Sequence, residues 1–388
     1  MNLPIDLRKS IRNYAYQHGF ELCHFSRPKI KHVDRQALDA WVDHKMYADM
    51  AWMAEESRLE RRKDPSTMMN HVQTVISLAM RHTPPPYSLE EAISSKRQGI
   101  IAAYAHGMDY HDIMKKRLKA LARDLDLLLG QHEQRVYVDT APVLEHALAA
   151  ASGLAWQGKH SLSIHRQHGS WMMLGELFTS AKLSADQEAT AHCGRCIACM
   201  DICPTKAIVA PYVVDANLCI SYLTIEYKGV IAPKLRPLMG NHIYGCDDCQ
   251  AICPWNQKAQ TPDRDLLTPH GENILPELAS LLHLNEQAFR QRFRKSPVKR
   301  TGRAALLRNV CIAMGNSGNT NFIPLLHSVL DDSEPLIRAH AIWALAILYQ
   351  WQGMGNAPEV FRKTLLALKT KENNIEVLTE IEAVLSPK

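Results

Sequence analysis

The sequence predicts a region of mixed strands and helices, of α/β or α+β class, joined to a ferredoxin-like segment and an all-helical C-terminal region. Three observations carry this reading. Short β-like runs alternate with helical patterns up to about residue 185, eight cysteines crowd into residues 193–253, and the pattern is wholly helical from about residue 277. The corresponding domain boundaries are 1–185, 186–256 and 277–388.

Within the first region, Val72–Met80 reads as a mostly buried strand that ends before Pro84-Pro85-Pro86. Arg135–Val138 is a second strand, bounded by Asp139-Thr140. Pro142–Trp156 carries Val143, Leu144, Ala147, Leu148 and Ala151 at helical spacing, and Asp139 or Thr140 can cap that helix. Asp139 therefore stands at a strand-to-helix junction, either as a cap or as an exposed working side chain. Residues 254–276 read as a connecting segment. In the tail, Leu307–Met314 aligns with Ile337–Ala344 thirty positions later, a spacing that resembles paired HEAT-type helices.

Composition narrows the class. The chain of 388 residues has 45 Lys+Arg against 40 Asp+Glu, a net charge of +5, and 46% hydrophobic residues. These values exclude a disordered tail, a collagen and a small disulfide scaffold. No apolar run reaches the ~18 residues that span a bilayer, and the first residues lack the apolar core of a secretory signal. A cytoplasmic protein without membrane contact is the expectation, and nothing calls for more than a monomer. In a reducing compartment, clustered cysteines read as metal ligands or redox groups.

The cysteine spacing is specific. Cys193-x2-Cys196-x2-Cys199-x3-Cys203-Pro204 is the bacterial ferredoxin run, and a second set follows as Cys219 and Cys246-x2-Cys249-x3-Cys253-Pro254. Three thiolates in a tight loop serve one iron–sulfur cube, while the cysteine before proline turns to the other cube. One [4Fe–4S] cluster thus takes Cys193, Cys196, Cys199 and Cys253, and the other Cys203, Cys219, Cys246 and Cys249. A pair of zinc sites is the competing reading, poorly suited to a CxxCxxC triple followed by Cys-Pro. Cys311 reads as a buried small hydrophobe, and Cys23 carries no signal.

At this point the chain resembles a known family, epoxyqueuosine reductase. The resemblance rests on Gly107–Asp112, Val138–Glu145, Gly158–Leu162, Gly169-Ser170-Trp171, Cys219–Thr224 and Tyr244–Asp247, and it spans essentially the whole sequence. The first two regions are also similar to corrinoid reductive dehalogenases. The resemblance implies reduction of epoxyqueuosine to queuosine at the wobble position of tRNAs for Tyr, His, Asn and Asp, with cobalamin beside two [4Fe–4S] clusters. It further implies a nitroreductase-like cobalamin-binding domain, a ferredoxin-like domain and HEAT-like helices. Electrons would come from an external low-potential donor.

The same resemblance carries Asp139 over as the proton donor. An exposed Asp, with a pKa near ~3.9, is ionised at neutral pH, so this role requires burial to keep the acid protonated. Corrin contacts carried over are Arg62, Ala102, Asp139, Ser163, Leu174, Ser221, Cys246 and Asp247. For Arg62 the alternative is a solvated place in the run Arg58-Arg61-Arg62-Lys63. Lys159 and His160 stand open between packing and cofactor contact.

Positive charge concentrates in residues 290–308. Arg290, Arg292, Arg294, Lys295, Lys299, Arg300, Arg303 and Arg308 give a local +8 without an acidic residue. Phe289 and Phe293 are expected to anchor this stretch and leave the basic side chains outward. There, Arg290, Lys299, Arg300, Arg303 and Arg308, with Lys228, would meet the phosphates of a tRNA anticodon stem-loop. A corrinoid reductase of small molecules and a two-cluster electron carrier are the alternative functions.

Overall fold

A computed structural model describes residues 6–257, 259, 262, 267–351 and 358–386. The chain forms two compact units, the first from spans 1–84, 107–217 and 248–268, the second from 85–106, 218–247 and 269–388. Residues 186–217 and 248–256 thus belong to the first unit and 218–247 to the second.

In the first unit the strands are β1 (Leu22–Ser26), β2 (Thr74–Arg81), β3 (Gln134–Val138), β4 (Trp156–Gln157), β5 (Ser163–Ile164) and β6 (Met172–Thr179). Four of them make an antiparallel sheet in the order β1-β2-β6-β3, and β4 and β5 form a separate hairpin. The helices that bear on the sheet are α1 (Leu7–Gln17), α2 (Tyr110–Leu129) and α3 (Glu145–Ala151). Met114, Leu118, Leu121 and Leu125 recur on one stripe of α2 and are fully buried. Met114 and Leu118 lie against Gly175 of β6. Leu148 and Ala149 of α3 meet Phe178 and Leu174, whose side chains point to the opposite face from Gly175. Covered on both faces, β2 is buried along its whole length.

The strand expected over Val72–Met80 runs from Thr74 to Arg81, and the one expected at Arg135 begins at Gln134. The helix expected over Pro142–Trp156 is shorter, Glu145–Ala151, and Trp156 lies in β4. Tight turns, Ala141 N to Val138 O and Val143 N to Ala141 O, use up the residues after β3 before the helix can start. Its first turn has no side-chain cap, so neither Asp139 nor Thr140 plays that part.

In the second unit, Ile100–Ile101 pairs in parallel with His242–Tyr244. Around this pair stand α4 (Ile220–Ile225), α5 (Glu286–Arg292), α6 (Arg303–Asn316) and α7 (Pro335–Trp351). Leu306, Leu307, Val310 and Met314 of α6 share a core with Ile337, Ala341, Leu345 and Leu348 of α7, so the two aligned sequence segments fall on two helices of one core. Cys311 is buried there, as expected of a small hydrophobe. Phe289 and Phe293 are buried as well and anchor α5. Among the described residues no helix is long and apolar enough to cross a membrane.

Candidate active site and thiolate cavity

Asp139 follows the last residue of β3, and its side chain is 41% exposed. The burial expected around its carboxyl is therefore not what holds its proton. The start of α2 supplies a different environment. Asp109 caps that helix by accepting from the His111 backbone N–H, and the same carboxylate oxygen pairs with His111 Nδ1 at 2.6 Å. His111 Nε2 reaches Asp139 Oδ1 at 2.8 Å. The Tyr110 hydroxyl donates to the other Asp139 oxygen, and its ring stacks on His111 with centroids 4.0 Å apart.

Burial by itself would lower the His111 pKa, but hydrogen bonds to Asp109 and Asp139, with their negative charges, push it up to about 9. The imidazole is thus a cation at neutral pH, with both ring nitrogens donating. Burial and the Asp139 charge push the Tyr110 phenol far above its ordinary range, so it stays a donor. The chain Asp109–His111–Asp139 holds one transferable proton whose outer end is a half-exposed carboxylate. Tyr110 and His111 lie inside the Gly107–Asp112 motif, but sequence reading gave neither a role. A Tyr-His pair just inside a helix capped by Asp was the available signal.

Behind Asp139, two further carboxyls are buried under α3. Glu145 projects from its first turn, and Glu176 lies on β6 opposite Ser77 of β2 and Tyr137 of β3. Glu145 and Glu176 face each other, and neither forms an ion pair with a basic side chain among the described residues. Burial, then the charges of Glu176 and Asp139, raise the Glu145 pKa well above the carboxylate range. Burial lifts Glu176 to about 8. The pair therefore retains protons at neutral pH.

The cysteine loop in the first unit builds a second site. Cys193, Cys196, Cys199 and Cys253 line one cavity of about 490 Å³, together with Lys159, His160, His192 and Trp255. A turn at Cys193–Cys196 leads into the short helix Ala198–Ile202. Burial, then the charges of Cys193, Cys253 and Cys196, raise the Cys199 thiol, which shows how closely the sulfurs gather. Asn256 N–H donates to Cys253 O at 2.9 Å, and its side chain is fixed by Ser170, with Oδ1 accepting from Ser170 N at 2.7 Å and Nδ2 donating to Ser170 Oγ at 2.9 Å. Gly169 is required here, since its φ is +66° and a Cβ would lie 2.0 Å from Asn256 Oδ1. Four convergent thiol groups in a cavity fit a [4Fe–4S] cube.

Of the other four cysteines, Cys203 and Cys249 belong to the first unit, Cys219 and Cys246 to the second. Cys203 Sγ accepts from Ala207 N at 3.3 Å, and Cys219 immediately precedes α4. Cys246 follows the strand His242–Tyr244, and Cys249 lies in the short helix Asp248–Ala251.

The corrin candidates divide in the same way. Arg62 is buried rather than solvated. Its guanidinium donates to Met53 O at 3.3 Å and Met53 Sδ at 3.1 Å, and lies over the Trp52 ring. It forms no ion pair among the described residues, so it keeps donors for an acceptor. Ser163 and Leu174 are buried, and Ser163 Oγ bonds His146 Nδ1 at 2.8 Å. In the second unit Ala102 N donates to Tyr244 O at 2.8 Å, and Ala103 N to Asp247 Oδ2 at 2.7 Å. A Cβ on Gly245 would come within 2.6 Å of the Ala102 methyl, so backbone and small side chains make this edge. Ser221 lies in the first turn of α4 and is half-buried. In the first unit, the buried Arg62 with donors left over suits the acceptor fringe of an amide-bearing macrocycle.

The basic stretch departs most from expectation. Arg290, Arg294, Lys295, Lys299 and Arg300 are exposed, and Arg290 pairs with Glu286 at 2.6 Å. Arg303 instead forms a two-pronged ion pair with Asp332 at 2.5 and 3.1 Å. Arg308 is fully buried, and it donates to the carbonyls of Leu223, Tyr227 and Gly229 at 2.6–2.9 Å. Neither is an outward phosphate contact. Both lie on α6, where the apolar pattern runs around the helix and leaves no solvent face for them. Lys228 Nζ donates to Ile225 O at 2.6 Å and Thr301 O at 3.1 Å.

Comparison with known proteins gives the chemistry its context. Residues 192–256 match the 4Fe-4S double cluster binding domain, which displaces the zinc reading, and residues 62–140 match the domain described as epoxyqueuosine reductase QueG, DUF1730. The epoxyqueuosine reductase of Salmonella typhimurium is 38% identical over 349 residues, covering 89% of this chain and 90% of that protein. A crystal structure of epoxyqueuosine reductase with an epoxyqueuosine-modified tRNA-Tyr stem loop superposes with TM-score 0.86 at 26% identity, covering 97% of each chain. The enzyme from Streptococcus thermophilus gives TM-score 0.86 at 28% identity over 98% of each chain. The chain belongs to the epoxyqueuosine reductase family.

Proposed function

We propose that this chain reduces the epoxide of epoxyqueuosine to the alkene of queuosine at the wobble position of tRNA, using two [4Fe–4S] clusters and cobalamin. The observation that carries the reading is the proton-holding chain Asp109–His111–Asp139 with Tyr110, in the same unit as the four-cysteine cavity. The conversion takes up two electrons and two protons and releases water. Cobalamin, when bound, supplies reduction at a strongly nucleophilic metal, fed by low-potential clusters.

The remaining tasks fall on the chain's own side chains. His111 stores a proton at neutral pH. Asp139, the exposed end of the chain, passes that proton to the departing oxygen, while Tyr110 and His111 fix both carboxylate oxygens. Asp109 anchors His111 and keeps it charged.

Cysteine spacing assigns the second cluster to Cys203, Cys219, Cys246 and Cys249. Family resemblance assigns corrin contacts to Arg62, Ala102, Asp139, Ser163, Leu174, Ser221, Cys246 and Asp247. A nitroreductase-like sheet unit and HEAT-like helix pairs are the finer fold reading, supported by the sheet of the first unit and the α6–α7 core of the second. tRNA phosphates would meet the exposed Arg290, Lys299 and Arg300, with Lys228 beside Thr301. An external low-potential donor and a cytoplasmic monomer complete the reading. Anaerobic incubation of reduced protein with an epoxyqueuosine-containing anticodon stem-loop, read by nucleoside mass spectrometry, tests it. Conversion by the wild type is expected; no conversion by protein replete in iron and cobalamin overturns it.

A further inference from the structure

The hairpin β4–β5 carries two buried N–H groups that the fold itself leaves unused. His160 is 4% exposed and lines the cavity of Cys193, Cys196, Cys199 and Cys253. Its Nδ1 accepts from Leu162 N at 3.2 Å, so the proton of a neutral ring sits on Nε2. That Nε2 is buried without a hydrogen-bond partner among the described residues. Trp156 is equally buried, packs against Cys253 and Cys193, and its Nε1 also lacks an acceptor.

Local structure turns the His160 ring inward. The turn closes through Ser161 N to Gly158 O and Gly158 N to Leu162 O, and Ser161 takes φ +69°. A Cβ on Gly158 would come within 2.8 Å of His160 Cε1, so this glycine lets the imidazole fold inward. Lys159 next to it clamps the cysteine loop, donating to Gly194 O at 2.8 Å and Cys196 O at 3.0 Å. An orphaned buried donor is unfavourable, because it has given up its water without gaining an acceptor. One of them lines the cavity that takes an iron–sulfur cube and the other packs against Cys193 and Cys253, so the sulfur of the cube is the acceptor at hand for both.

We infer that His160 Nε2–H and Trp156 Nε1–H donate hydrogen bonds to the cluster held by Cys193, Cys196, Cys199 and Cys253, and raise its reduction potential. This rests on the two-cluster reading above. On one-electron reduction the cluster gains negative charge, so N–H donors aimed at its sulfurs stabilise the reduced form more than the oxidised one. His160 and Trp156 are positioning and tuning residues and bind no iron themselves.

The test is an EPR-monitored redox titration of the anaerobic holoprotein, with iron and sulfide counted for each variant. His160→Phe and Trp156→Phe are each expected to cut the reduced fraction of one cluster about tenfold at fixed poise. For a one-electron couple that is about 59 mV toward more negative potential. The other cluster keeps its midpoint, and His160→Gln, which retains an N–H, shifts less than His160→Phe. Unchanged midpoints at full iron content overturn the inference. If a variant loses its cluster, pulsed EPR on wild type labelled with 15N in histidine and tryptophan decides. Coupling of a ring N–H to one reduced cluster supports the inference, and no such coupling overturns it. Wild-type protein without iron would instead overturn the two-cluster reading.

Discussion

Replacing Glu176 by Gln tests whether the carboxyl pair under α3 holds its protons. Glu145 and Glu176 form no ion pair with a basic side chain among the described residues, and Glu176 is wholly buried. Burial raises the Glu176 pKa from 4.5 to about 8. A carboxyl with a raised folded pKa binds more protons folded than unfolded. Its contribution to stability is fully present below about pH 4.5 and is lost as pH climbs through about 8. Each pH unit in that window weakens the fold by about 1.4 kcal/mol, so from pH 6 to 8 the wild type loses about 2–3 kcal/mol from this group. Gln keeps the shape and needs no proton, and its stability should lack that slope. Urea unfolding of anaerobic holoprotein at pH 6 and pH 8, wild type against Glu176→Gln, measures the difference. Parallel pH dependence in the two proteins would show that Glu176 does not titrate in this range.

Other perturbations follow from the same geometry. Asp139→Asn should keep both clusters and cobalamin, by iron and cobalt analysis, while turnover of the modified stem-loop is lost; near-wild-type conversion removes Asp139 from proton delivery. Because His111 sits at about 9, wild-type kcat/KM should fall as pH rises through that value. His111→Gln should be slow at every pH and lack this limb, and an intact limb in the variant would assign it to another group. Arg308→Met leaves one buried and two half-buried carbonyls without their donor and should cost on the order of 3 kcal/mol in unfolding free energy. Little change in its urea midpoint would contradict that role. Lys299→Glu with Arg300→Glu should weaken stem-loop binding and flatten its log-affinity against log-salt slope by about 1–2, whereas Arg303→Glu should act first on stability through its broken pair with Asp332.

The exchange between sequence and structure is clearest at the cysteines and at the basic stretch. Ligand spacing is a local property: a CxxCxxC loop brings its sulfurs together within a few residues of backbone, so the cluster motifs were legible in the sequence. The strands at Val72 and Arg135 were legible for the same reason, each announced by its own β-branched run. The helix after Asp139 is shorter than its apolar spacing predicts because the turns that delay it are backbone hydrogen bonds with no residue signature. Charge count located the basic stretch but could not say which way each side chain faces. Arg308 is drawn inward by three carbonyls that only the folded chain brings together, from residues about 80 positions away.

The order of residues by itself determined the cysteine spacing of the cluster motifs, the reductase family motifs and the place of Asp139 after a strand, since each depends on neighbours close in the chain. Tertiary structure alone decided how Asp139 meets a proton. His111 and Tyr110 lie nearly thirty residues away, and it is the packing of α2 beside β3 that joins them to the carboxylate. The same holds for the unpaired donors of His160 and Trp156 and for the carboxyls under α3. A proton's or a hydrogen bond's energy depends on burial and distance, and only a folded chain has those.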